Sequence, residues 1–152
     1  MKWLGAANSP AESGVRLHDR VRTALEQGFK GALPDYSLGP SEADLLIHQG
    51  SRVAVIEVKT GNPDLPLPSS TSAQMLLLKQ RVREKFPEPD VEEVLPVLVT
   101  NYKVSLIDQK ELEEQGIAVV RIDPKSSSGS DSRNFSLRVA SLTGLKADPE
   151  LV

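Results

Sequence analysis

The chain has no cysteine. That excludes a disulfide framework, a thiol nucleophile and any thiolate-ligated zinc or iron–sulfur centre. It has no apolar run near the roughly 18 residues needed to span a bilayer. Its first ten residues, MKWLGAANSP, lack the apolar middle of a signal peptide, so a cytoplasmic protein with no membrane association is expected. Aromatic residues are scarce, and the single tryptophan, Trp3, lies outside any core pattern. A basic excess is also missing. Lys and Arg number 18 against 21 Asp and Glu, a net charge of −3, which speaks against a broad electrostatic grip on nucleic acid. What is present is ordinary for a globular chain. With 39% hydrophobic and 26% charged residues over 152 positions, the composition excludes wholesale disorder and suits one domain.

Periodicity divides the chain. From about Pro10 to Gln27, Leu17, Val21, Ala24 and Leu25 recur at helical spacing, with Ser9-Pro10-Ala11-Glu12 as a start signal and Gly28 as a stop. His18 falls on the edge of that stripe, and Asp19 points away from it. Ala43–His48 and Arg52–Lys59 read as a β-hairpin around Gln49-Gly50-Ser51, with a weaker strand near Tyr36–Leu38. Ala73–Phe86 reads as a second helix, in which Thr71 and Gln74 could form a capping box. Val94–Thr100 and Ile117–Ile122 are uniformly apolar strands joined by a helix over Leu106–Gln115, a βαβ unit with parallel strands. Pro96 implies an edge or a bulge in the first of them. Phe135–Leu142 is a candidate last strand, and a loose tail is expected after Gly144. The order predicts an α/β sandwich on a mixed sheet. A single domain over 1–152 follows, with its core at about 11–122 and a Ser-rich extension after it.

An acid, any residue, then Lys occurs three times, at Glu57-Val58-Lys59, Asp108-Gln109-Lys110 and Asp123-Pro124-Lys125. The second lies in a charged helix and the third spans a turn proline. Only Glu57 and Lys59 end a strongly apolar strand, and residues two apart on a strand share a face. Charged groups there need a partner, an ion or water. Asp44 supplies a partner from the preceding strand. If His48 and Val53 close a four-residue loop, Asp44 lies directly opposite Glu57; with a two-residue loop Asp44 faces Val55 and is a diagonal neighbour of Glu57. Two adjacent carboxylates repel unless a cation lies between them, and Mg²⁺ is a hard cation held by one or two carboxylates plus waters. Without a cation, the same residues would be a salt-bridge cluster at a hairpin end.

Asp44, separated by twelve intervening residues from Glu57-Val58-Lys59-Thr60, at the end of a β-hairpin after a first helix, resembles the PD-(D/E)xK nuclease superfamily. Its fold is restriction-endonuclease-like, an αβββαβ core, and it includes Holliday-junction resolvases and small restriction and repair nucleases. The resemblance implies Asp44, Glu57 and the carbonyl of Val58 as metal ligands, Lys59 as the catalytic lysine, and Mg²⁺, with Mn²⁺ as a substitute. It implies DNA as substrate, and a homodimer or partner protein. Pro34-Asp35 matches the motif's letters but lies too far from Glu57, in an expected loop. Many members carry a Glu on the inner face of the first helix. His18 stands there, and since imidazole is a poor Mg²⁺ ligand, His18 would hold water or a phosphate. Gln74 matches a glutamine that many members place on the helix after the motif. The acids between Glu88 and Glu114 would face away from DNA. The sequence therefore predicts a Mg²⁺-dependent endonuclease. The alternative is a nuclease-like binding or assembly subunit with weak or absent catalysis, which the altered first-helix position and the acidic total charge favour. Action on RNA or a nucleotide is a third reading.

Overall fold

The computed structural model describes residues 10–122 and 130–148. Trp3, the Ser9 cap and the Ser-rich loop at 123–129 lie outside the described residues. The elements run α1 (Pro10–Gly28), β1 (Leu33–Leu38), β2 (Ser41–Gln49), β3 (Arg52–Lys59), α2 (Thr71–Lys85), β4 (Glu93–Thr100), α3 (Leu106–Glu114), β5 (Ala118–Arg121) and α4 (Ser130–Thr143). The sheet follows sequence order, β1-β2-β3-β4-β5; β1, β2 and β3 are antiparallel neighbours, and β3, β4 and β5 are parallel. Among the described residues, no helix is long and apolar enough to cross a membrane.

The sheet is covered on both faces. One core joins Val21 and Leu25 of α1 and Phe135 and Val139 of α4 to Leu45, Ile47, Ala54, Ile56 and Val58. The other joins Met75, Leu78 and Val82 of α2 and Leu112 of α3 to Leu46, Val53, Val55 and Leu98. Val53 to Ile56 are all fully buried, so β3 is the central strand. At full burial each Val and Ile side chain there stabilises the fold by about 1.5–3 kcal/mol, which anchors whatever the strand's end carries.

Four local expectations change. The segment holding Phe135–Leu142 is helix α4, because Phe135 and Val139, four apart, face the core while Leu137 is exposed. The stretch after Gly144 is fastened down: Gln49 exchanges hydrogen bonds of 2.8 Å with both the N–H and the carbonyl of Lys146, Leu145 is buried, and the Asp148 N–H donates to Gly28 at 2.7 Å. Helix α2 starts earlier than Ala73, with Ser70 as N-cap and no side-chain cap, so Thr71 and Gln74 form no capping box. Pro96 is not in an edge strand or at a bulge. It pairs in register with Val55, just before the stretch in which β5 joins β4 at Val97.

Candidate active site

The β2–β3 ladder sets the geometry. His48 pairs with Val53 and Gln49 with Arg52, leaving Gly50 (φ +60°) and Ser51 as the turn. This register puts Asp44 level with Glu57, with a two-residue turn in place of the expected four-residue loop, because Gln49 and Arg52 pair as well. The last ladder pair is Leu45 with Ile56, so the hairpin opens where the two acids begin.

The opening has a local cause. On a regular strand, Ala43 and Leu45 would share a face. Instead Ala43 packs with the α2-side core and Leu45 with the α1-side core. The chain therefore turns at Asp44. On β1 the ladder skips the same place, pairing Pro34 with Leu45 and Tyr36 with Ala43, and the residue between, Asp35, is left-handed at φ +48°. The Asp35 carboxylate accepts from Arg22 Nη1 of α1 at 3.0 Å. Asp35 is thus a strand residue facing α1, not part of a loop.

Because of the turn, the Asp44 carboxylate leaves the face expected from simple alternation and reaches α1, where its Oδ2 is 3.3 Å from His18 Nε2. The same Oδ2 accepts from the Val58 N–H at 2.7 Å, and the Asp44 N–H donates to Glu57 Oε1 at 3.4 Å. The amide and carbonyl of one extended residue leave the strand on the same edge. The Val58 carbonyl therefore also faces the opened gap. His18 is bracketed, with Asp19 Oδ1 3.6 Å from its Nδ1, so Asp19 is turned toward the imidazole and not away from it.

Glu57 is pushed up from 4.5 to about 8. Burial is the main cause, followed by a side-chain hydrogen bond with Asp44 and by its charge; the Asp44 N–H and the Lys59 ammonium pull the other way. The Asp44 charge thus favours the protonated form of the neighbouring Glu57 carboxyl where no cation lies between them. Among the described residues, no three His, Asp or Glu side chains form a ready-made metal cage. A Mg²⁺ ion that keeps several waters does not need one. Two repelling hard oxygen donors and a strand-edge carbonyl fit that ion.

No protein-family model and no curated protein matches the sequence. Solved structures do. A repair endonuclease from Pyrococcus abyssi is similar over 76% of this chain and 48% of its own, with a TM-score of 0.50 and 19% identity. An EndoMS–dsDNA complex is similar over 78% and 47%, with a TM-score of 0.52 and 17% identity. A protein of unknown function is similar over 89% and 72%, with a TM-score of 0.55 and 19% identity. The fold is restriction-endonuclease-like. The chain spans about half the length of the first two proteins.

Within this restriction-endonuclease-like frame, the structure brings Asp44, Glu57, Val58 and His18 together at the open end of β2–β3, with Lys59 one step beyond on β3. Gln74 lies in the first turn of α2 with an exposed side chain, while Met75 and Leu78 take the buried positions. His48 is exposed at the turn, bonded to the Gly50 carbonyl at 3.0 Å, far along β2 from Asp44. Sequence reasoning passed over Asn101. Its signal was a polar Thr100-Asn101 pair closing an apolar strand, a placement that demands a buried partner.

Proposed function

We propose that the chain is a metal-dependent nuclease that hydrolyses phosphodiester bonds in DNA. The observation that carries this is the paired Asp44 and Glu57 carboxylates at the opened hairpin end, with Lys59 on the same strand. Asp44, Glu57 and the Val58 carbonyl would hold Mg²⁺ or Mn²⁺. When bound, the ion would polarise a phosphodiester oxygen and acidify a water. Lys59 would orient the attacking water or offset the charge that develops on phosphorus. His18, held between Asp19 and Asp44, would position a water or a phosphate oxygen through Nε2. A neighbour of similar fold was solved with double-stranded DNA, which supports DNA as the substrate class. The acidic net charge of −3 supports added grip from a second copy or a partner protein.

Purified protein incubated with plasmid or branched DNA and Mg²⁺ or Mn²⁺ should cleave it, and chelation should stop cleavage. Lys59→Ala should lower kcat by about 10²–10³-fold with the circular dichroism spectrum unchanged. Folded wild-type protein that takes up no divalent ion in calorimetry would sink the proposal. One observation favours a second reading: a histidine, not a carboxylate, lies beside Asp44 on α1. DNA binding without cleavage, in either metal, would mark a nuclease-like binding subunit.

A further inference from the structure

β3 and β4 run in parallel to a common end, and Lys59 with Thr100 is their last pair in register. One step further, Asn101 takes over. Its Nδ2 donates to the Gly61 carbonyl at 2.8 Å, and its Oδ1 accepts from the Gly61 N–H at 2.9 Å. A side-chain amide offers one donor and one acceptor in a plane, as a strand residue does. Asn101 therefore adds a rung where the backbone ladder has stopped, two residues beyond Lys59.

The rung is buried and backed. Asn101 is only 4% exposed. A buried amide is costly unless bonded, and the Gly61 backbone satisfies both of its ends. The Tyr102 ring lies against Gly61, where a Cβ would overlap its hydroxyl. The Tyr102 N–H is in turn fixed on Thr100 Oγ1 at 3.1 Å. Further out, Lys103 exchanges backbone hydrogen bonds of 3.0 Å with Leu65 and Leu67. The segment leaving Lys59 is thus fastened to the segment leaving β4 at successive levels, and Asn101 is the level closest to the lysine.

We propose that Asn101 is a positioning residue for Lys59, fixing the exit of β3 so that the ammonium stays level with the Asp44–Glu57 pair. The assignment rests on the nuclease reading for its effect on rate, and on the clamp geometry for its effect on structure. An apolar residue of similar size would fill the space at less desolvation cost, so the amide is there to hold a backbone path.

The test uses Asn101→Ala, with Asn101→Asp as a second variant whose ionised carboxylate can still accept from the Gly61 N–H but repels the Gly61 carbonyl. Gly61→Ala, which displaces Tyr102, attacks the same clamp from the other side. In each, kcat for DNA cleavage should fall about 10- to 100-fold, with KM for DNA and the metal-concentration dependence unchanged. Asn101→Ala placed on Lys59→Ala should cost nothing more. Two readouts need no cleavage. Hydrogen exchange at Gly61 should quicken, and acylation of Lys59 by an amine-reactive reagent should change relative to the exposed Lys30 and Lys110. Unaltered kcat, a loss that adds fully to that of Lys59→Ala, or unaltered Gly61 exchange would each overturn the assignment. A wild-type protein that never cleaves would remove the nuclease reading, while the exchange and acylation results would still decide the clamp.

Discussion

The two ends of the β2–β3 hairpin are built from the same two strands and behave in opposite ways. At the turn end, the strands stay paired and the turn is held from several sides: Gln49 pairs with Arg52, the Glu92 and Glu93 amides bond to the Ser51 carbonyl at 2.8 and 3.1 Å, and the Gln49 side chain grips Lys146. At the other end, the ladder stops at Leu45 and Ile56, and the next amides, of Asp44 and Val58, donate to carboxylates. Backbone amides fixed on carboxylates hold negative charge in place without neutralising it. The closed end stores stability, and the open end stores unbalanced charge. Glu92 and Glu93 lie at the closed end, so those acids sit away from the proposed site, as the sequence led us to expect.

The comparison can be broken by substitutions at each end. The largest effect on stability should come from the laddered part. Ile47→Ala removes a side chain that is 1% exposed and should cost about 2–5 kcal/mol in urea denaturation, leaving kcat per folded molecule unchanged. A fall in kcat at full folding would show that the two ends are not independent.

A smaller effect should come from the open end and depend on pH. Glu57 binds its proton more tightly in the folded chain, about 8 against 4.5. Its favourable contribution is therefore complete below about pH 4.5 and is lost as pH rises toward 8. Without divalent metal, wild-type stability should decline across that window, and Glu57→Gln should decline less. At pH 8 the variant should be the more stable by about 1–3 kcal/mol, because water screens part of the full linkage value. Added Mg²⁺ should raise the melting temperature of the wild type and not of the variant. Parallel pH curves for the two proteins would refute the charge imbalance.

The smallest effect belongs to Gln49→Ala, which removes the grip on Lys146 and should cost about 1 kcal/mol, read as a drop in melting temperature with no change in metal affinity.

How far the sequence was legible follows from the range of the forces involved. The hairpin register was open between two alternatives until the turn was seen to be Gly50-Ser51. Everything that depended on strand pairing, including Asp44 opposite Glu57, then followed. His18 was legible because helical spacing alone puts it at the stripe edge. The turn of the chain at Asp44 was not, because it depends on a left-handed Asp35 across the ladder and an Arg22 from another element. Phe135, Leu137 and Val139 alternate in sequence and so imitate a strand, although only the first and last face the core. Gln74 matched by spacing from Leu78, but it falls in the first turn of α2, where its side chain faces out. Asn101 was hidden because its partner is the backbone of Gly61, which no side-chain pattern announces.

The break at Asp35 has one more consequence, for the sheet's outer border. β1 is the outermost strand on its side, and a bare edge strand is a template on which other chains aggregate. Pro34 has no amide hydrogen to offer, and the left-handed residue after it interrupts the extended row. The distortion that turns Asp44 toward His18 thus also leaves β1 a poor surface for intermolecular strand pairing.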